Sequence, residues 1–350
     1  MASKKSPLGF DLNAVKKWAK GLLFFSSAII AIILGFFLIG WPKEYQKEYG
    51  ITWSSPYAYG LGLNPNDGLR QVLDDVGVRR FRIPAYWTDI EREQGKYDFT
   101  ILREQLDAIA SRNGSVILAV GSRLPRWPEC WVPEWATQVD LATRRSVQLA
   151  YLQKTYAMFK DHPAVKAWQV ENEAMFTFYV ECPGLTKELV VEELRYVKGE
   201  EAKRSNPRPV YTTDSGELSL WIDWAGEVDG LGVSLYRTVT NPWLGVIRYW
   251  FIPPWAYVRK AWLAHFFVGP IFVSEFQMEP WSDFPLENTS LEDQYRTLSI
   301  DQMRKNFLYA KRLDMAAVDF WGAEWWLWMR DKKGNADFWN EAKAFFQASR

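Results

Sequence analysis

Two glutamates close short apolar runs and carry the most evident chemistry of the chain. Ala167-Trp168-Gln169-Val170 leads into Glu171-Asn172-Glu173, and Pro270-Ile271-Phe272-Val273-Ser274 leads into Glu275. Glu173 and Glu275 are 275 − 173 = 102 residues apart, too far for one local motif but natural where a fold gathers strand ends at one mouth. Two carboxyl groups facing each other across a sugar are the parts that glycosidic bond cleavage needs. Other chemistries lack material. The chain has two histidines, His162 in a turn-like Asp-His-Pro and His265 in an apolar helical stretch, so a Ser-His-Asp triad or a His-rich metal centre is not indicated. Its 42 Lys and Arg balance 42 Asp and Glu, which speaks against a polyanionic partner such as nucleic acid. The 20 tryptophans exceed what a core requires, and flat rings with one polar edge suit stacking on sugar faces.

The elements that must position these residues alternate in type. Apolar β-like runs are expected at 57–64, 79–86, 115–121, 165–173, 208–214, 230–236, 270–276 and 316–321. Helical stretches are expected at 67–76, 100–112, 142–160, 186–205, 218–226, 254–267, 291–313 and 337–348. Eight strands with crossover helices predict an α/β fold, a (β/α)8 TIM barrel preceded by one N-terminal transmembrane helix. In such a barrel the chemistry sits at the C-terminal strand ends, where Glu173 and Glu275 fall on strands four and seven.

The chain divides into a short basic segment at 1–20, a transmembrane signal-anchor at 21–41, a linker at 42–55 and the catalytic barrel at 56–350. Residues 21–40 carry no charge, and about 20 apolar residues cross a bilayer core. Lys4, Lys5, Lys16, Lys17 and Lys20 precede the run, whereas Lys43 and Lys47 after it are mixed with Glu44 and Glu48. This bias puts the N-terminus in the cytoplasm and the barrel outside the cell membrane. The alternative is a cleaved signal peptide, but the run exceeds the usual apolar region and no Ala-x-Ala-like site follows. Cys130 and Cys182 lie in loops after strands three and four, on one face of the barrel. An even cysteine count in an exported chain then predicts a Cys130–Cys182 bridge.

At Asn172-Glu173 and Glu275 the chain resembles the clan A glycoside hydrolases, retaining (β/α)8 enzymes with Asn-Glu after strand four and Glu after strand seven. The resemblance covers roughly residues 50–350. It implies that Glu173 is the general acid/base and Glu275 the nucleophile, with Asn172 bonding the sugar 2-hydroxyl. It likewise implies that Arg82 lies beside the nucleophile, that Tyr236 hydrogen-bonds it, and that Trp321 is the platform beneath the sugar. Arg82 as a barrel-end ion pair and Tyr236 as a core tyrosine are the rival readings, and Trp325, Trp326 and Trp328 compete with Trp321. Strict alternation would put Glu171 and Glu173 on one face and Asn172 on the other, so the resemblance requires an irregular strand end. The histidine that family 5 of the clan carries two residues before the strand-six tyrosine is Ser234 here, and no proline follows the acid/base.

The expected reaction is O-glycosyl hydrolysis with retention, through two carboxyl groups about 5–5.5 Å apart. It needs no metal or organic cofactor. Trp127, Trp281 and Glu324 stand in the long loops that would read the carbohydrate substrate, and Arg123 and Arg126 suggest an acidic sugar. A transglycosylase on the same site and a catalytically silent glycan-binding barrel remain alternatives; a barrel lyase or aldolase would want a Schiff-base lysine or metal ligands at strand ends. The sugar, the linkage and the oligomeric state stay open.

Overall fold

The computed structural model describes residues 12–176, 182–241, 245–282 and 284–349. Lys4, Lys5 and the loop residue Asp283 lie outside the described residues, as does Glu181 just before Cys182. Eight parallel strands close into a barrel: Glu48–Thr52, Arg80–Pro84, Ser115–Val120, Val165–Val170, Val210–Ser215, Gly230–Leu235, Ile271–Gln277 and Ala317–Trp321. Each pairs with its neighbours in chain order, and the first pairs with the last. The strands are buried on both faces, Ile271–Gln277 at every residue, because helices cover the outside and side chains fill the inside. Low in the barrel, Ile117, Ala167, Phe272 and Ala317 form a small apolar plug.

Seven strands lie where the alternation predicts; the first does not. The apolar run at 57–64 is a helix, Ser55–Gly60, and a turn, while the first strand is Glu48–Thr52, within the stretch expected to be linker. The physical cause is local: the Ser54 side chain caps the helix by accepting from Tyr57 N, and Pro56 sits in its first turn. The glycines at 60 and 62 then end it. Three further differences follow from caps and turns. The stretch 291–313 is two helices, Leu291–Thr297 and Ile300–Lys311, because Ser299 caps the second. Residues 218–226 are turns rather than a helix. Ala323–Lys333 is a helix that carries Trp325, Trp326 and Trp328 into the core, so none of these three is the sugar platform. A hairpin of Thr238–Asn241 and Gly245–Arg248 also follows strand six.

The Leu12–Leu38 helix leaves most of its apolar side chains exposed and meets the Pro254–Val268 helix near its C-terminal end. Val15–Leu38, 24 residues, is long and apolar enough to cross a membrane, as a span or as a signal sequence.

Candidate active site

Strand four ends irregularly, and that irregularity builds the site. Glu171 and Glu173 both adopt left-handed backbone, at φ 57 and φ 45, with Asn172 between them. Non-glycine residues seldom adopt it, and they hold it only where surroundings impose it. The two turns break the period-two alternation. Glu171 swings away from the mouth and is fully buried, accepting from Ser122 N at 2.7 Å, Arg123 N at 2.5 Å and Gln148 Nε2 at 3.1 Å. Gly121, at φ 136, makes this possible: a Cβ there would lie 2.5 Å from the Glu171 carboxyl. Asn172 and Glu173 both line the cleft instead. Glu171 is therefore a structural neighbour of Glu173 and does not face the cleft.

Glu173 is buried beside a second carboxylate. Its backbone N donates to Thr213 Oγ1 at 2.9 Å, and its Oε1 accepts from the Ser234 hydroxyl. Burial, then the charges of Glu275 and Glu129, push the Glu173 carboxyl up to about 8. The Asn172 side-chain oxygen accepts from Thr213 Oγ1 at 2.8 Å.

Glu275 faces two donors: Arg82 Nη2 at 2.5 Å and the Tyr236 hydroxyl at 2.8 Å. Arg82 is completely buried and its Nε donates to Thr52 Oγ1 at 2.9 Å, which fixes the fork beneath Glu275. It lies behind Glu275 and does not line the cleft, so it positions and charges the site rather than touching substrate. Burial and the neighbouring carboxylates raise the Tyr236 hydroxyl well above its ordinary value, so it keeps its proton and donates. On strands six and seven, Ser234 and Glu275 are register partners. The serine that holds Glu173 is thus the strand neighbour of Glu275, whose charge acts on the Glu173 carboxyl.

The cleft between them encloses about 600 Å³, within the range of small-molecule sites. Trp321 and Trp281 line it, and Trp127, 76% exposed, stands at its rim. Trp281 packs edge-on to Tyr236, with centroids 5.1 Å apart. Cys130 and Cys182 are joined in a disulfide across the loops after strands three and four.

The structure places the loop arginines in ion pairs and sets Glu324 away from the cleft. Arg126 lies sandwiched between the Tyr57 and Trp321 rings, 3.9 and 3.8 Å from their centroids. Its guanidinium is bonded to Glu279 and, at 2.8 Å, to Glu324. Arg123 is paired with Glu129 at 2.7 Å. Both arginines line the cleft, each already paired with a carboxylate. Glu324 itself is fully buried, holding Arg126 and Ser54 N, and does not reach the cleft.

Residue reasoning missed Ser234 as the partner of Glu173, although its spacing of two from Tyr236 puts both on one strand face. It also missed Glu129, in the loop after strand three, and Thr213, on strand five, which left no local signal. Among the described residues no group of three or more His, Cys, Asp or Glu side chains is arranged to hold a metal ion.

A family model described as β-galactosidase matches residues 70–187, which contain Asn172-Glu173 but not Glu275. β-Galactosidase BbgII of Bifidobacterium bifidum is 28% identical over 158 residues, covering 38% of this chain. The chain spans 22% of that curated relative's length. Among solved structures, a family GH5_18 protein of Streptomyces cattleya with bound GlcNAc superposes with TM-score 0.54 at 14% identity, covering 80% of this chain and 71% of the other. A catalytic mutant of Gan42B, a GH42 β-galactosidase of G. stearothermophilus, gives TM-score 0.54 at 12% identity, covering 87% of this chain and 56% of the other. The closed barrel and the matched segment bear out the resemblance to the clan A glycoside hydrolases. At the level of families the matches divide between family 42 and family 5 of that clan.

Proposed function

We propose that the chain is a membrane-anchored retaining glycoside hydrolase that cleaves O-glycosidic bonds of extracytoplasmic carbohydrate. The observation that carries this reading is the opposed setting of the two glutamates. Glu173, buried and pushed up to about 8, holds a proton at neutral pH, while Glu275 is met by a fixed cation and a phenol donor. Two carboxyl groups whose environments differ in this way divide into an acid and a nucleophile. Glu275 attacks the anomeric carbon while Glu173 protonates the leaving oxygen, giving a glycosyl ester on Glu275. Glu173, now ionised, takes a proton from the water that opens the ester and restores the starting state. Asn172 meets the sugar 2-hydroxyl, Tyr236 steadies the nucleophile, and Trp321 offers a ring wall, with Trp281 and Trp127 further along the cleft.

The names of the matched relatives make a β-galactoside the first substrate to test. The neutralised arginines favour a neutral sugar over a uronide. The lysines before the apolar helix favour an N-terminus inside and a barrel outside.

The test is a panel of aryl glycosides assayed with the full chain in detergent, alongside Glu275→Gln, with the product anomer followed by proton NMR. Retention and a loss of at least about a thousandfold in the variant are expected. An inverted product, or a variant as active as the parent, overturns the proposal.

A further inference from the structure

The side wall of the barrel carries an apolar face that the candidate site does not use. Along the Pro254–Val268 helix, Tyr257, Ala261, Ala264 and Val268 are buried against the barrel. The outward face is apolar too: Trp262, Leu263, Phe266 and Phe267 are 59%, 43%, 70% and 56% exposed. From Ala261 to Pro270 the chain has no Asp, Glu, Lys or Arg, and His265 is the one titratable side chain. A helix on a water-facing surface sets polar residues on its outer side. Contiguous exposed rings on such a helix mark an interaction surface.

The apolar N-terminal helix meets the barrel on this same element. Trp255 Nε1 donates to the Leu38 carbonyl at 2.9 Å, and the Trp255 ring packs on Gly40 so closely that a Cβ there would lie 2.6 Å from it. The Arg259 guanidinium lies 5.0 Å from the Phe36 ring centroid. Going back along the N-terminal helix from Leu38 to Phe36, the contact moves forward from Trp255 to Arg259. The N-terminal helix therefore leads toward the Trp262–Phe267 end. At a rise of about 1.5 Å per residue, Trp262 to Phe267 lie about 5–12 Å beyond Arg259. Interfacial helices bury their apolar face about 5–10 Å into the headgroup and acyl boundary. Arg259, beside the last turns of the span, falls where headgroup phosphates would meet a cation, and the Trp and Phe rings fall where aromatic belts form.

We propose that Trp262, Leu263, Phe266 and Phe267 rest in the bilayer that the N-terminal helix enters, docking the barrel side-on. This rests on the membrane-anchor reading above. The rings leave water for the acyl boundary, which makes the face a second, peripheral hold on the membrane.

The experiment uses the full chain in phosphatidylcholine nanodiscs containing a lipid spin-labelled near the headgroup end of its acyl chain. Cys130 and Cys182 are joined, so a fluorophore attaches only to the thiol of Phe266→Cys. Labels on Ile29→Cys in the N-terminal helix and on Ile101→Cys, exposed on the Thr100–Ala110 helix, serve as references. The label at 266 is expected to lose about half its emission to the spin-labelled lipid, and the label at 101 none. Trp262→Cys repeats the reading should Phe266→Cys misfold. A label at 266 quenched no more than that at 101 overturns the docking. Quenching at 29 then leaves the anchor standing, and its absence removes the anchor as well. A 266-to-266 crosslink without lipid quenching assigns the face to a second copy of the chain and also overturns the proposal.

Discussion

Replacing Ser234 with alanine is expected to move the alkaline limit of activity upward. The Ser234 hydroxyl donates to Glu173 Oε1, and Glu173 stands at about 8 under the pressure of burial and of the Glu275 and Glu129 charges. The serine works against that pressure, because a hydroxyl donor favours the ionised carboxylate more than the neutral acid. A hydrogen bond to a charged group contributes about 1.5–3 kcal/mol and one to a neutral group about 0.5–1.5 kcal/mol, so its loss costs the ionised form about 1–1.5 kcal/mol more. At about 1.4 kcal/mol per unit, the carboxyl moves up by about one unit, from about 8 to about 9. The acid must be protonated to donate, so kcat/KM falls as pH rises through this value. At pH 9 the protonated fraction then grows about fivefold relative to the parent, while near pH 7 it scarcely changes. The assay is the pH profile of kcat/KM on the best substrate of the panel. A limb that stays or moves down, or a loss equal at every pH, refutes the electrostatic role of Ser234.

Three other changes are expected to act through named contacts. Arg126→Ala strands Glu279 and Glu324, both buried, and is expected to cost about 3–5 kcal/mol in denaturant unfolding, with Arg126→Lys recovering part of it. Gly121→Ala drives a methyl into the Glu171 carboxyl at a left-handed position; the shifted strand end should lower kcat at least about tenfold while the glycan still binds. Cys130→Ser opens a loop of 52 residues, and the chain-entropy model gives a loss of about 4 kcal/mol, readable as the stability difference between oxidised and reduced parent.

The placing of Glu173 and Glu275 in one cleft was legible because a barrel presents its strand ends at one mouth, and each stands at one of those ends in the sequence. The bond from Tyr236 to Glu275 was implied by the resemblance to clan A, and the bridge was legible because its two cysteines sit in neighbouring loops on one face. The first strand was not. Residues 57–64 are as apolar as a strand, but a serine cap and a proline favour a helical turn, while the shorter Glu48–Thr52 gains its place only by pairing with strands two and eight.

The tertiary structure alone decided the division of labour among the acids. Glu171 and Glu173 are identical in type and two residues apart, yet one is drawn under Gly121 and the other turned to the cleft. Two left-handed residues make the difference, and they persist because partners from other strands hold them, a constraint with no trace in local periodicity. The arginines followed the same rule. In sequence Arg123 and Arg126 are free cations in a long loop; in the fold each meets a carboxylate, Glu279 and Glu324 arriving from strands seven and eight to claim Arg126. Sequence patterning determined that strands four and seven run out into carboxylates at one end of the barrel. Long-range pairing in a buried site decided which of them faces the cleft and which are held in ion pairs.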